Sequence, residues 1–146
     1  MKTIFTMMLS VVLLISAFAQ EAMQTRMLGL SEEAPAFTAK STMGDINFPD
    51  DYFGKWKIIF SHPADFTPVC TTELLELAAM QEELAKRNTA ILVLSTDGLN
   101  SHIEWVKSME EMSYLDYGKM KIKFPIIADI GYDISRKYGM IHIKSN

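Results

Sequence analysis

Thr89-Ala90-Ile91-Leu92-Val93-Leu94-Ser95 constrains the fold of this chain more than any other stretch. The run is apolar without alternation, the pattern of a strand buried on both faces of a sheet. Such a strand needs helices to cover it on either side. The flanking sequence supplies them. Upstream, Trp56-Lys57-Ile58-Ile59-Phe60 reads as a second short buried strand, and residues 121–129 bring in a third. Leu74, Leu77, Ala78, Gln81 and Leu84 fall close to helical spacing, and that helix ends near Arg87-Asn88 with Asn88 as its cap. After Asp97-Gly98, Ser101 and Glu104 fit the S-x-x-E capping box and open a helix with Ile103, Val106 and Met109 along one side. Residues 131–138 predict a short helix stopped by Gly139. Residues 36–42 and 46–49, joined by Met43-Gly44-Asp45, read as a hairpin, and 114–123 as a loop. The succession predicts one α/β domain with a mainly parallel central sheet flanked by helices.

The N-terminus is a separate segment. Met1-Lys2, an apolar run over 4–17 and Ala17-Phe18-Ala19 before Gln20 have the charged start, apolar centre and small-residue cleavage site of a secretory signal peptide. We therefore expect residues 1–19 to be a signal peptide, residues 20–146 the folded domain, and the location secreted or periplasmic. The apolar run is short for a membrane span, so no stable membrane association is expected. The chain carries 14 Lys and Arg against 18 Asp and Glu. With no cluster of basic residues, nucleic acid is excluded as a natural partner. An exported chain usually pairs its cysteines, yet Cys70 stands alone, which points to a reactive thiol or an intermolecular partner.

Cys70 lies at the turn from strand to helix. Thr67 is a natural N-cap, Pro68 suits the first helical position, and Cys70 then falls third in the first turn. There the unpaired N–H groups and the positive end of the helix dipole favour a thiolate over a thiol. The residues alone also admit plainer readings. Cys70 is then a small buried hydrophobe, Thr67 only a cap, Pro63 only a strand terminator and His62 a structural histidine. Glu73 either lines the site or favours the helix start, and His102 and His142, which carry no motif, are read as surface or structural.

Pro63-x-x-x-Thr67-x-x-Cys70 resembles the active-site motif of the peroxiredoxins, and Phe60-Ser61-His62-Pro63 through Asp65-Phe66-Thr67-Pro68-Val69-Cys70-Thr71-Thr72-Glu73-Leu74 is similar to their one-cysteine, peroxiredoxin 6 type subgroup. The resemblance implies a thioredoxin-like fold over about 28–146, with Asp129 and Tyr138-Gly139-Met140 matching the family's later strand and helix. It implies a thiol peroxidase that reduces hydrogen peroxide and small organic hydroperoxides, with Cys70 cycling through sulfenic acid and restored by an external thiol. Thr67 would bond the sulfur or the peroxide, Pro63 would shield the sulfur, and His62 would lie near it. No cofactor is implied, and a homodimer is. No His or Cys pair has metal-ligand spacing, so no metal is expected either.

Two features depart from the family pattern. The arginine that family members place beside the cysteine belongs to a strand after the Met140-Ile141-His142 region, and neither Arg87 nor Arg136 matches its motif. The expectation is a chain truncated before the C-terminal strands and helix of the fold, with an open sheet edge. The phospholipase activity of some subgroup members needs a serine and a histidine where this chain has Lys55 and Pro49, and no G-x-S-x-G elbow occurs, so that activity is not expected. The rival functions are a cysteine hydrolase, which needs a histidine held against Cys70, a non-enzymatic redox-sensing module forming mixed disulfides, and an inactive fragment of a peroxidase.

Overall fold

The computed structural model describes residues 27–141. Within them the apolar run forms β4 (Thr89–Ser95), and the elements around it are β1 (Phe37–Ser41), β2 (Gly44–Phe48), β3 (Trp56–Ser61), α1 (Pro68–Lys86), α2 (Leu99–Glu111), β5 (Ile126–Ala128) and α3 (Asp133–Lys137). The sheet runs β2-β1-β5-β4-β3. β4 pairs in parallel with β3 on one side and β5 on the other, and the β1–β2 hairpin joins antiparallel through Ser41 opposite Ile127. This is the thioredoxin-like α/β arrangement expected from the sequence. One expectation is corrected: β3, read from sequence as a buried strand, ends the row of described strands with none of its residues buried, whereas β4 lies inside it.

β4 feeds both faces of the sheet. Ile91 and Val93 join Cys70, Leu74, Leu75 and Ala78 of α1 and Trp105 and Met109 of α2, while Leu92 and Leu94 join Phe37, Ile46, Phe48, Ile127 and Ile134. A strand with one wet face could not do this, which is why the run carries no polar alternation. At the far end of α1, Asn88 takes φ 55°, the left-handed conformation that a short polar side chain tolerates, and the chain turns directly into β4.

Three local expectations are corrected. The capping box at Ser101 is not used: α2 begins at Leu99 behind Gly98, so Ser101 lies inside the first turn and Glu104 pairs with Lys107 at 2.6 Å. The buried stripe of α2 is His102, Trp105 and Met109, with Ile103 and Val106 at its half-buried flank. The third strand is short because residues 121–124 are tied to the helices. Gln81 donates to Lys121 O at 2.7 Å and accepts from Lys123 N at 2.8 Å, and Glu110 accepts from Ile122 N at 3.0 Å. Those bonds use up backbone groups that a longer ladder would need. No helix among the described residues is long and apolar enough to cross a membrane. The candidate leader over 1–19 and His142 lie outside the described residues.

Candidate active site

The segment between β3 and α1 brings four of the proposed site residues, His62, Pro63, Thr67 and Cys70, to the carboxyl end of β3. Thr67 occupies the N-cap position with extended backbone and Pro68 the first helical position, so Cys70 is third in α1, as expected. Its thiol is free and 5 % exposed, packed in the cluster that holds Leu74 and Trp105. The amides of Val69 and Cys70 belong to the first turn and have no carbonyl four residues back to receive them.

Thr67 caps by position but not by side chain. Its carbonyl accepts the Thr71 amide at 2.9 Å and the Thr71 hydroxyl at 2.7 Å, while its own hydroxyl donates to Ala64 O at 3.2 Å. That leaves the oxygen lone pairs of Thr67 free of the capping bond. Pro63 and Glu73 are exposed. Phe66 takes φ 58°, rare for an aromatic residue, and this reversal separates buried Asp65 from the start of α1.

His62 is buried, with its Nε2 2.9 Å from Asp65 Oδ1. His102, read from sequence as surface or structural, is fully buried, and its Nδ1 lies 2.7 Å from Asp65 Oδ2. Burial works to raise the pKa of Asp65, but hydrogen bonds from His102, His62 and Ser101 outweigh it and hold the carboxyl well below the usual carboxylate range. Asp65 is also anchored by its amide, which donates to Asp97 Oδ2 at 2.6 Å. Trp105 completes the group: its ring packs 4.9 Å from that of His62, and its indole N–H donates to Thr71 Oγ1 at 3.2 Å. Sequence reasoning missed Asp65 and His102. The available signal was spacing, since His102, Trp105 and Met109 recur on one helical face. Among the described residues no group of three or more His, Cys, Asp or Glu side chains could hold a metal ion.

A parallel β3-β4-β5 core extended by a hairpin, with a buried cysteine opening the helix after β3, places the chain among thioredoxin-like proteins. The AhpC/TSA family model matches residues 30–145, and the chain belongs to that family, the peroxiredoxins. A peroxiredoxin of Methanosarcina mazei is 52 % identical over 118 residues, covering 80 % of this chain and 54 % of its own length. The structure of a yeast mitochondrial 1-Cys peroxiredoxin is similar with TM-score 0.72 and 39 % identity, over 79 % of this chain and 52 % of that one. Peroxiredoxin 6 of Arenicola marina gives TM-score 0.72 and 35 % identity, over 82 % and 53 %. The chain spans about half the length of the relatives it matches.

Proposed function

We propose that this chain is a thiol peroxidase of the one-cysteine type, reducing hydrogen peroxide and small organic hydroperoxides through Cys70. The observation that carries the reading is the free Cys70 thiol in the first turn of α1, one turn after Thr67, in a chain of this family. The Cys70 thiolate attacks one peroxide oxygen. A sulfur–oxygen bond forms, the O–O bond breaks, sulfur is oxidised to sulfenic acid, and the departing hydroxide or alkoxide takes one proton to leave as water or alcohol. Two equivalents of an external thiol then restore Cys70, releasing water and a disulfide.

Thr67 Oγ1 has lone pairs to accept a peroxide O–H, and the Val69 and Cys70 amides are donors for the oxygen on which charge develops. Pro63 limits water at the sulfur, and His62 stands in the same loop, bonded to Asp65. The likeness to a yeast protein described as 1-Cys, whose thiol is resolved via glutathione/thioredoxin systems, supports an external reductant here. The same reading includes a homodimer and export with loss of residues 1–19, tested respectively by sedimentation and by the N-terminal sequence of the protein recovered from its native source.

The deciding experiment is the rate of Cys70 oxidation by hydrogen peroxide at pH 7, with sulfenic-acid trapping and Cys70→Ser as the blank. Oxidation orders of magnitude faster than a free thiol supports the reading. A rate equal to that of free cysteine overturns it for this chain, and acylation by an ester without reaction toward peroxide would favour a hydrolase.

A further inference from the structure

The carbonyl of Thr67, the N-cap of α1, belongs to the peptide bond with Pro68, and that peptide has no N–H. Its plane is therefore anchored through the oxygen alone. Both anchoring bonds come from Thr71, whose amide donates at 2.9 Å and whose hydroxyl donates at 2.7 Å. A threonine hydroxyl returning to the carbonyl four residues back is common in helices and by itself says little. Here a third group decides where it points. The indole N–H of Trp105, on α2 and 34 positions further along, meets Thr71 Oγ1 at 3.2 Å. An indole N–H donates and cannot accept, so Thr71 takes that bond on a lone pair and sends its own hydrogen to Thr67 O.

The bonds thus run in one direction, from Trp105 to Thr71 to Thr67. Trp105 is fully buried in the cluster that holds Cys70, and its ring lies 6.3 Å from that of Phe66, so its N–H is a fixed reference from outside α1. Thr67 is tethered at its other end too, where its hydroxyl donates to Ala64 O at 3.2 Å. With carbonyl and hydroxyl both held, the orientation of Thr67 is set from two sides. Thr72 provides the contrast. Its hydroxyl donates to Val69 O at 2.8 Å within the same turn, it is exposed, and among the described residues it bonds to no other element. Of the two threonines that follow Cys70, Thr71 is the one tied across to α2.

We propose that Thr71 is a positioning residue for the peroxide reaction: Trp105 sets the direction of its hydroxyl, and its bond to Thr67 O holds the Thr67 hydroxyl in place for the substrate. The proposal rests on the peroxidase reading, in which Thr67 Oγ1 accepts the O–H of the peroxide. Thr71 touches no substrate and moves no proton; it acts through Thr67. Without the Thr71 hydroxyl, the Thr67 carbonyl keeps only the Thr71 amide, and the peptide plane before Pro68 gains freedom to tilt. Thr67 Oγ1 then spends less time where it meets the peroxide. The loss falls on the peroxide reaction, whereas the Cys70 thiolate, favoured by the amides and dipole at the start of α1, is kept.

The test uses the full chain and reads two rates for Cys70: oxidation by hydrogen peroxide, and alkylation by iodoacetamide, which needs the thiolate but no bond from Thr67. Thr71→Val keeps the branched shape and removes the hydroxyl. Its peroxide oxidation is expected to slow by about tenfold, with alkylation within about twofold of wild type. Thr71→Ser, which keeps the hydroxyl, and Thr72→Val, which removes one outside the Trp105 to Thr67 path, are expected to react with peroxide like wild type. In a Thr67→Val background, Thr71→Val is expected to add no further loss, because the group it acts through is gone. A folded Thr71→Val protein with the wild-type peroxide rate, an equal fall in both rates, the same loss in Thr71→Ser or Thr72→Val, or a full further loss in the Thr67→Val background each overturns the positioning role. A wild type no faster with peroxide than free cysteine overturns the peroxidase reading instead. Should Thr71→Val fail to fold, Trp105→Phe, which keeps an aromatic ring and removes the N–H, is expected to show the same selective loss, and a wild-type peroxide rate in that variant overturns the proposal.

Discussion

Two aspartates are buried at the carboxyl ends of this sheet's strands, and they are satisfied in opposite ways. Asp129, just after β5, accepts from the Ile134 amide at 3.0 Å, the Ser135 amide at 2.8 Å and the Ser135 hydroxyl at 2.6 Å. Every donor belongs to the first turn of α3, so the carboxylate caps that helix and leaves nothing bare behind it. Asp65 accepts from two imidazoles instead, and each has a second nitrogen buried without a partner. The first arrangement is complete as a structure. The second leaves two buried ring nitrogens unsatisfied among the described residues. The faces behind them differ likewise: Asp129 stands beside the face holding Leu92, Leu94 and the stacked Phe37–Phe48 pair, while Asp65 stands over the face that holds Cys70 and Trp105.

The largest effect on stability should come from the face away from Cys70. Leu92 is fully buried there, and Leu92→Ala is expected to cost about 3 kcal/mol in urea unfolding while leaving Cys70 oxidation unchanged in the folded protein. A slowed reaction would show that the two faces act together. Next comes Asp129→Ala, which strips the acceptor from two buried amides and a hydroxyl. A loss of about 2 kcal/mol or more in the same unfolding measurement is expected, again with the oxidation rate unchanged.

The contrast between these regions also marks what the sequence could reveal. The junction from β3 into α1 is legible to the residue, because Thr67 and Pro68 punctuate the helix start by rules that need only neighbours. Asn88 and the Gly44 turn, at φ 103°, follow similarly local rules, and β4 is legible because burial on both faces removes alternation. Asp65 with His102 is different in kind. The contact joins a loop position and a helix position that no periodicity relates, and only the spacing of His102 with Trp105 and Met109 marks one of them as inward-facing. Ser101 shows the cost of local reasoning: it fits a capping box by sequence, but Gly98 opens the helix and Ser101 falls inside its first turn. Residues 121–124 mislead for a similar reason, since Gln81 and Glu110 take the backbone groups that a strand pattern assigns to the sheet.

Acid acts directly on Asp65. Its folded pKa lies below that of an unfolded aspartate, so the unfolded chain binds more protons in the interval between the two values, and stability there rises with pH. The contribution is therefore fully present above the unfolded value near ~4 and is lost as pH falls toward the folded one. Asp65→Asn should be less stable than wild type by about 2 kcal/mol at pH 7. That gap should hold down to about pH 5 and narrow below about pH 4. Both proteins carry the same histidines, so the difference between their urea midpoints isolates the carboxylate. A gap that widens on acidification would mean that Asp65 is held protonated and does not accept from both imidazoles.

The smallest effect belongs to Tyr138, which edges against Phe37 on the face away from Cys70 and donates its hydroxyl to Pro35 O at 2.9 Å. Burial pushes its pKa up to about 12, because the phenolate would lose water without gaining a cation. A raised folded pKa gives a contribution that is complete below the unfolded value near ~10 and fades as pH climbs through the folded one. Tyr138→Phe removes a single neutral hydrogen bond and is expected to cost about 1 kcal/mol at pH 7. The deficit should stay constant up to about pH 10 and then shrink, since only wild type must hold the phenol neutral against the solvent. Ultraviolet titration of the tyrosines, compared between the two proteins, would show one fewer late-ionising group in the variant. If the missing group instead ionises with the exposed tyrosines, the face away from Cys70 admits water, and its contrast with the Asp65 side is smaller than the packing of Phe37, Phe48 and Leu92 implies.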